Sequence, residues 1–88
     1  MERADDWGEA VRPHSIVDAG GEEWPVVRRS IERRMDGLAV GDLLEVISGQ
    51  RRNRADIPTW CFLVGHDLVR LLATESTTWF WIRKAPER

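Results

Sequence analysis

The chain of 88 residues has no tyrosine, one cysteine and only four prolines. A lone cysteine excludes an internal disulfide and fits a reducing compartment. No run approaches the ~20 apolar residues that a membrane-spanning helix needs. Met1 to Arg12 is acidic and holds no apolar stretch of signal-peptide length. A cytoplasmic protein without a membrane segment is therefore expected. The net charge is −2, so no global excess of either sign draws the chain to nucleic acid or to an anionic membrane. The two histidines, His14 and His66, stand at no metal-ligand spacing with Cys61. Neither a metal nor a cofactor is expected. A chain of this length is one domain with a modest core and little area for a deep pocket.

Tryptophan is what the chain has in excess: five, at positions 7, 24, 60, 79 and 81. Hydrophobic residues make up 42% and charged residues 32%, ordinary for a folded domain, which argues against wholesale disorder. Residues 1–13 show no period and end in Pro13, so a flexible acidic tail is expected there, with Trp7 as its one apolar anchor. A second, shorter tail is expected over 85–88.

Between the tails, periodicity alternates between strand and helix. A first strand is expected over His14 to Asp18, broken by Gly20 and Gly21. Val27, Ile31, Met35 and Leu38 then recur at helical spacing, predicting a helix from Pro25 to Leu38. Arg28, Arg29, Glu32, Arg33 and Asp36 fall on its opposite side. A second strand is expected over Leu43 to Ile47, with Leu44 and Val46 on one face. Asp56 reads as an N-cap, with Ile57-Pro58 opening a second helix whose buried stripe is Ile57, Trp60, Cys61 and Val64. Gly65 caps it. Strands over Asp67 to Ala73 and Thr78 to Arg83 follow. The order β-α-β-α-β-β implies an α+β two-layer sandwich: a four-stranded mixed sheet with both helices on one face.

The stretch Gly21-Glu22-Glu23-Trp24-Pro25-Val26-Val27 is the most informative. Proline suits the first turn of a helix, so Trp24 stands where free N–H groups and the helix dipole favour an anion or a thiolate. A cysteine there would be reactive. Tryptophan cannot ionise or carry sulfur.

Five motifs in order resemble the TusA/SirA-type sulfur carriers. They are Val17-Asp18-Ala19-Gly20 running into Trp24-Pro25, Gly41-Asp42-Leu43-Leu44-Glu45-Val46, Asp56-Ile57-Pro58-Thr59-Trp60-Cys61, Gly65-His66-Asp67-Leu68, and Phe80-Trp81-Ile82-Arg83-Lys84. The resemblance covers about Ile16 to Lys84 and places a domain of that type over 14–84. It implies the same fold and a protein partner in sulfur transfer. In that family a cysteine in a C-P-x-P motif accepts a persulfide sulfur. The resemblance puts Trp24 at that position, and Val27 at the motif's second proline. Glu23, with Glu22 beside it, stands where the family often has a basic residue. Two acids there would raise the pKa of a thiol rather than lower it.

The candidate site residues follow from these readings. No catalytic residue is expected, Trp24 holding the nucleophile position. Cys61 is the fallback thiol, but it lies on a predicted core stripe. Trp24 and Pro25, with Arg28 and Arg29 on the first helix and Arg51, Arg52 and Arg54 in the loop before the second, form a candidate docking surface. Strand alternation sets Trp79 and Trp81 on the sheet face away from the helices, a candidate interface. A second copy related by a two-fold axis or a partner protein is expected to cover it, with the Trp7 segment as a further candidate.

Three functional readings stand side by side. The first is a non-catalytic binding or adaptor module of the sulfur-carrier fold. The second is an active persulfide relay through Cys61. The third is an RNA- or regulatory-protein-binding module using the arginine surface, for which the chain lacks a recognisable nucleic-acid motif.

Overall fold

A computed structural model describes residues 12–86; Trp7 lies outside the described residues, as does most of the acidic segment around it. The elements are β1 (Ser15–Gly20), α1 (Trp24–Asp36), β2 (Leu43–Ser48), α2 (Asn53–Val64), β3 (Asp67–Ala73) and β4 (Thr78–Arg83). The sheet order is β1-β2-β4-β3. Strands β1 and β2 run parallel, and β4 pairs antiparallel with both β2 and β3. The last strand of the chain thus lies inside the sheet. Both helices share one core with Val17, Ala19, Leu44, Val46, Phe80 and Ile82. This is the α+β two-layer sandwich expected from the pattern.

Helix α1 buries Val27, Ile31 and Met35, the three predicted stripe residues within its span. It stops at Asp36 rather than Leu38, because Gly37 tightens the last turn. The Gly37 N–H donates to the Arg34 carbonyl and the Leu38 N–H to that of Met35, each three residues back. Leu38 still packs on the core from just beyond the end. The Lys84 ammonium donates to the carbonyls of Met35 (2.6 Å) and Leu38 (2.7 Å). A cation at a helix C-terminus meets the negative end of the dipole there. Arg34 ties the same end to β1 through Ser15 Oγ (2.8 Å) and the Ile16 carbonyl (2.6 Å).

Other boundaries differ from expectation as well: β1 begins at Ser15 and β2 runs on to Ser48. Strand β1 continues past Asp18 through a register shift to Gly20, whose φ of +54° suits glycine. The Gly20 carbonyl there accepts from the Gly49 N–H at 2.7 Å. Helix α2 begins at Asn53, ahead of the expected Asp56 cap. Asn53 is fully buried and its amide donates to Ser48 Oγ at 2.9 Å, which starts the helix early. Asp56 therefore falls in the first turn and Pro58 inside the helix.

The stripe on α2 holds for Ile57, Trp60 and Cys61, all buried, but not for Val64, which is 45% exposed. Val64 is the last helical residue before Gly65 turns the chain at φ +90°. Its side chain lines a groove with Met35, His66 and Lys84 at the edge of the core.

On β4 the alternation is as expected. Phe80 and Ile82 are fully buried among the helices, while Trp79 and Trp81 stand on the other face. Strand β3 carries a register shift between Leu68 and Arg70. It puts Leu68 on the helix side, opposite Ile82, and Arg70 on the other face, opposite Trp81.

Trp60 is 8% exposed and sits between Trp24 and His66. Trp60→Ala should cost about 3–5 kcal/mol, read as a loss of chemical-denaturation stability. A loss under about 1 kcal/mol would mean that α2 is not held by this side chain.

The His66 ring lies 5.5 Å from Trp60, and its Nδ1 accepts the Ala85 N–H at 3.0 Å. Burial lowers its pKa below the ordinary 6.5; the Lys84 charge adds to this and Asp67 opposes it. The unfolded chain therefore takes up this proton first as pH falls, and stability is lost on acidification through 6.5. His66→Asn keeps a hydrogen-bond acceptor without the titration. Thermal midpoints measured across that range should fall for the wild type and fall less for His66→Asn.

Candidate functional site

The site is built where two loops converge, one entering α1 and one entering α2. Glu23 is the N-cap of α1, in extended backbone, with its side chain making no capping bond. Its carbonyl accepts from the N–H groups of Val26 and Val27. Trp24 is the first helical residue, one position ahead of the expected start, and Pro25 follows in the first turn. Proline fits there because its missing N–H has no intrahelical partner.

The Trp24 indole is half-buried and meets Trp60 edge-on, with centroids 6.4 Å apart and planes at 66°. Such T-shaped pairs contribute about 0.5–1.5 kcal/mol beyond the area they bury. The position opposite the α2 stripe is thus filled by a packed aromatic ring.

Asn53 joins the two loops. Its Nδ2 donates to the Glu22 carbonyl (3.3 Å) as well as to Ser48 Oγ (2.9 Å). Ser48 Oγ also accepts the Gln50 N–H at 3.0 Å. A buried amide with two acceptors fixes both loops at once, because losing either bond leaves a polar group unsatisfied.

Above this knot lies a cavity of about 370 Å³ lined by Glu23, Trp24, Pro25, Gln50, Arg52 and Asp56. Two acids and one arginine share its rim with an indole and a proline ring. Such a mostly polar pocket could take a polar or charged side chain, with the Trp24 and Pro25 rings adding apolar contact and the charges orientation.

Of the sequence-predicted residues, Trp24, Pro25 and Arg52 come together at this cavity. Arg28, Arg29 and Arg51 are exposed and lie outside its lining. Arg54 is half-buried and engaged elsewhere. Its guanidinium donates to Thr78 Oγ1 (2.8 Å), to the Thr74 carbonyl and to the Glu75 carbonyl (3.4 Å), bracing the β3–β4 turn. Gln50, Asn53 and Asp56 are site residues that the sequence reading placed in a loop or a cap. The signal was the close spacing of Ser48, Gln50 and Asn53, short polar side chains able to bond one another across a turn.

Cys61 is 2% exposed in the core under Trp60. Burial pushes its thiol up to about 12. The thiolate is the nucleophilic form, so burial works against reaction at this sulfur near neutral pH. Among the described residues no group of three or more His, Cys, Asp or Glu side chains could hold a metal ion. Nor is any described helix long and apolar enough to cross a membrane.

The second candidate surface is the sheet face without helices. Trp81 is buried there and Trp79 half-buried. They line a cavity of about 250 Å³ with Glu45, Arg70 and Leu72. The Trp81 Nε1–H donates to Glu45 Oε2 at 3.1 Å, and the Arg70 guanidinium stacks 5.3 Å from the Trp81 ring centre.

No family model matches the chain. Similarity to known proteins is nevertheless consistent. The chain is 36% identical over 73 residues to the sulfur carrier protein TusA of Pseudomonas savastanoi pv. phaseolicola, covering 83% of this chain and 87% of that one. To TusA of Pseudomonas putida strain F1 it is 36% identical over 72 residues, 82% and 90% of the two chains. To TusA of Pseudomonas aeruginosa strain LESB58 it is 37% identical over 70 residues, 80% and 89%. With this identity sustained over most of both chains, and with the β-α-β-α-β-β sandwich in place, the chain belongs to the TusA family of sulfur carrier proteins.

Proposed function

We propose that this protein is a non-catalytic member of its family: a cytoplasmic binding or adaptor module that works beside a sulfur-transfer system and relays no persulfide itself. The observation that carries this reading is the packing of Trp24. Its indole stands at the α1 N-terminus, where the family resemblance places the sulfur-bearing cysteine, and it is seated on Trp60. The relatives' names tie the family to sulfur transfer. A partner in that system would approach the helix end and meet an apolar ring and a charged rim in place of a thiol. Arg52 at the cavity, with Arg28, Arg29 and Arg51 exposed around it, would orient an acidic partner surface.

A relay through Cys61 has less support. The sulfur would have to enter a core site that is 2% exposed, at a thiol whose ionisation is pushed up to about 12. An RNA-binding role draws on the same arginines, but Arg54 is spent on the hairpin and the net charge is −2.

The test is sulfur loading followed by binding. Incubated with a cysteine desulfurase and cysteine, the protein should show no mass gain of one sulfur. Cys61 should resist alkylation until the protein is unfolded. Trp24→Ala should weaken binding to a sulfur-transfer partner by about 2 kcal/mol, roughly thirtyfold, as for a central aromatic anchor. A stable sulfur adduct that disappears in Cys61→Ser would overturn the reading in favour of the relay.

A further inference from the structure

The two helices pack beside each other on the sheet, but their outer sides differ in chemistry. On α1 the exposed residues include Arg28, Arg29, Glu32, Arg33 and Asp36. On α2 the stretch from Ile57 to Gly65 holds no charged residue. Ile57, Trp60 and Cys61 make its buried side. The side turned away from the core is Arg51, Ala55, Thr59 and Phe62, spaced four, four and three, with Leu63 next to Phe62. All five are exposed, Phe62 at 85% and Leu63 at 74%. A helix without charge on either side is ordinarily covered on both. Here the domain's own core covers one.

We propose that this ridge pairs with the same ridge of a second copy, the two α2 helices crossing antiparallel about a two-fold axis near Thr59. Three features of the ridge select its own copy as the occupant. Side-chain size is ordered along it. The small Ala55 and Thr59 come first, and the bulky Phe62 and Leu63 follow. Antiparallel pairing sets the bulky half of each copy over the small half of the other, so the two interdigitate. The charges match as well. The ridge carries one charge, Arg51, just ahead of the helix, while the last turn of α2 has no basic residue to meet the negative end of its dipole. In an antiparallel pair each Arg51 reaches the C-terminal carbonyls of the other α2. Lastly, the area suffices. The ridge exposes on the order of 500 Å² per copy, so pairing removes about 1,000 Å² in total, the lower limit for a specific interface and suited to a reversible dimer. Ala55, Thr59, Phe62 and Leu63 all lie outside the lining of the Trp24 cavity, so the proposal stands independently of the reading given to that site.

Sedimentation and cysteine crosslinking of the full chain decide the matter. The wild type should pass from monomer to dimer as its concentration rises. Phe62→Asp should raise the dimer dissociation constant by about thirtyfold or more, as for the loss of a central aromatic anchor. Its circular dichroism should match the wild type, because the side chain is 85% exposed. With oxidised glutathione, Thr59→Cys should form a disulfide between copies, since residues at the axis face each other. Ala55→Cys should not, its two copies lying about 12 Å apart along the antiparallel helices. Nor should the wild type, whose Cys61 is buried. A wild type that stays monomeric at every concentration overturns the proposal. A dimer that Phe62→Asp leaves intact overturns it too, and in favour of the sheet face if Trp79→Ser dissolves that dimer. Equal crosslinking of Ala55→Cys and Thr59→Cys overturns the antiparallel arrangement.

Discussion

The fold depends on the pairing of β4 between β2 and β3. Phe80 and Ile82 on this strand are fully buried and join the helices to the sheet. On the opposite face, the same backbone sets Trp81 against Glu45 and Arg70. One strand thus supplies both faces of the sheet; a short turn joins it to β3, while α2 and β3 separate it from β2. Until β4 enters, β2 and β3 are not connected, so α1 on β1 and β2 and α2 on β3 have no common floor. Such non-local pairing makes the fold cooperative and ties its completion to the last segment of the domain. Lys84, immediately after β4, then reaches the carbonyls at the end of α1, so closing the sheet also caps the first helix.

The candidate site rests on a smaller device of the same kind. Asn53 bonds to both entry loops from a fully buried position, and Trp24 packs on Trp60 above it. The site is therefore preorganised by the core rather than by its own surface residues. That explains how the α1 N-terminus can accommodate a bulky ring: the indole extends the core's aromatic row of Trp60 and His66. It also separates the roles of the arginines. Arg34 and Arg54 hold strands and turns together, whereas Arg28, Arg29, Arg51 and Arg52 remain at the surface near the helix end.

Much of this was legible in the sequence. The spacing of Val27, Ile31 and Met35 gave the face of α1, and the alternation around Phe80 and Ile82 gave the facing of β4. Periodicity reports which side of an element is dry, and that survives any error in its ends. The ends themselves were less legible. Asp56 looked like a cap because Asp commonly is one, but the bonds made by Asn53 to Ser48 and Glu22 started the helix sooner. The bond to Ser48 is local, but the one to Glu22 joins residues 31 apart, which local propensity does not register. Val64 kept the helical period yet lies exposed, because the core ends before the helix does. The cavity beside Trp24 was legible only in part: its helix end came from Pro25, while Gln50 and Asp56 enter through the loop geometry.

The two irregularities in the sheet fall on its two outer strands. Pairing slips between Asp18 and Gly20 on β1 and between Leu68 and Arg70 on β3, whereas the central β2–β4 ladder is unbroken. A regular, flat outer strand offers its unpaired backbone groups to any other chain, and β3 carries the exposed side chains Leu71 and Leu72 that would favour such growth. A bulge twists the strand and puts its donors and acceptors out of step with an incoming one. Irregular pairing at both borders of the sheet thereby works against its extension by another strand, beside a face dense in tryptophan.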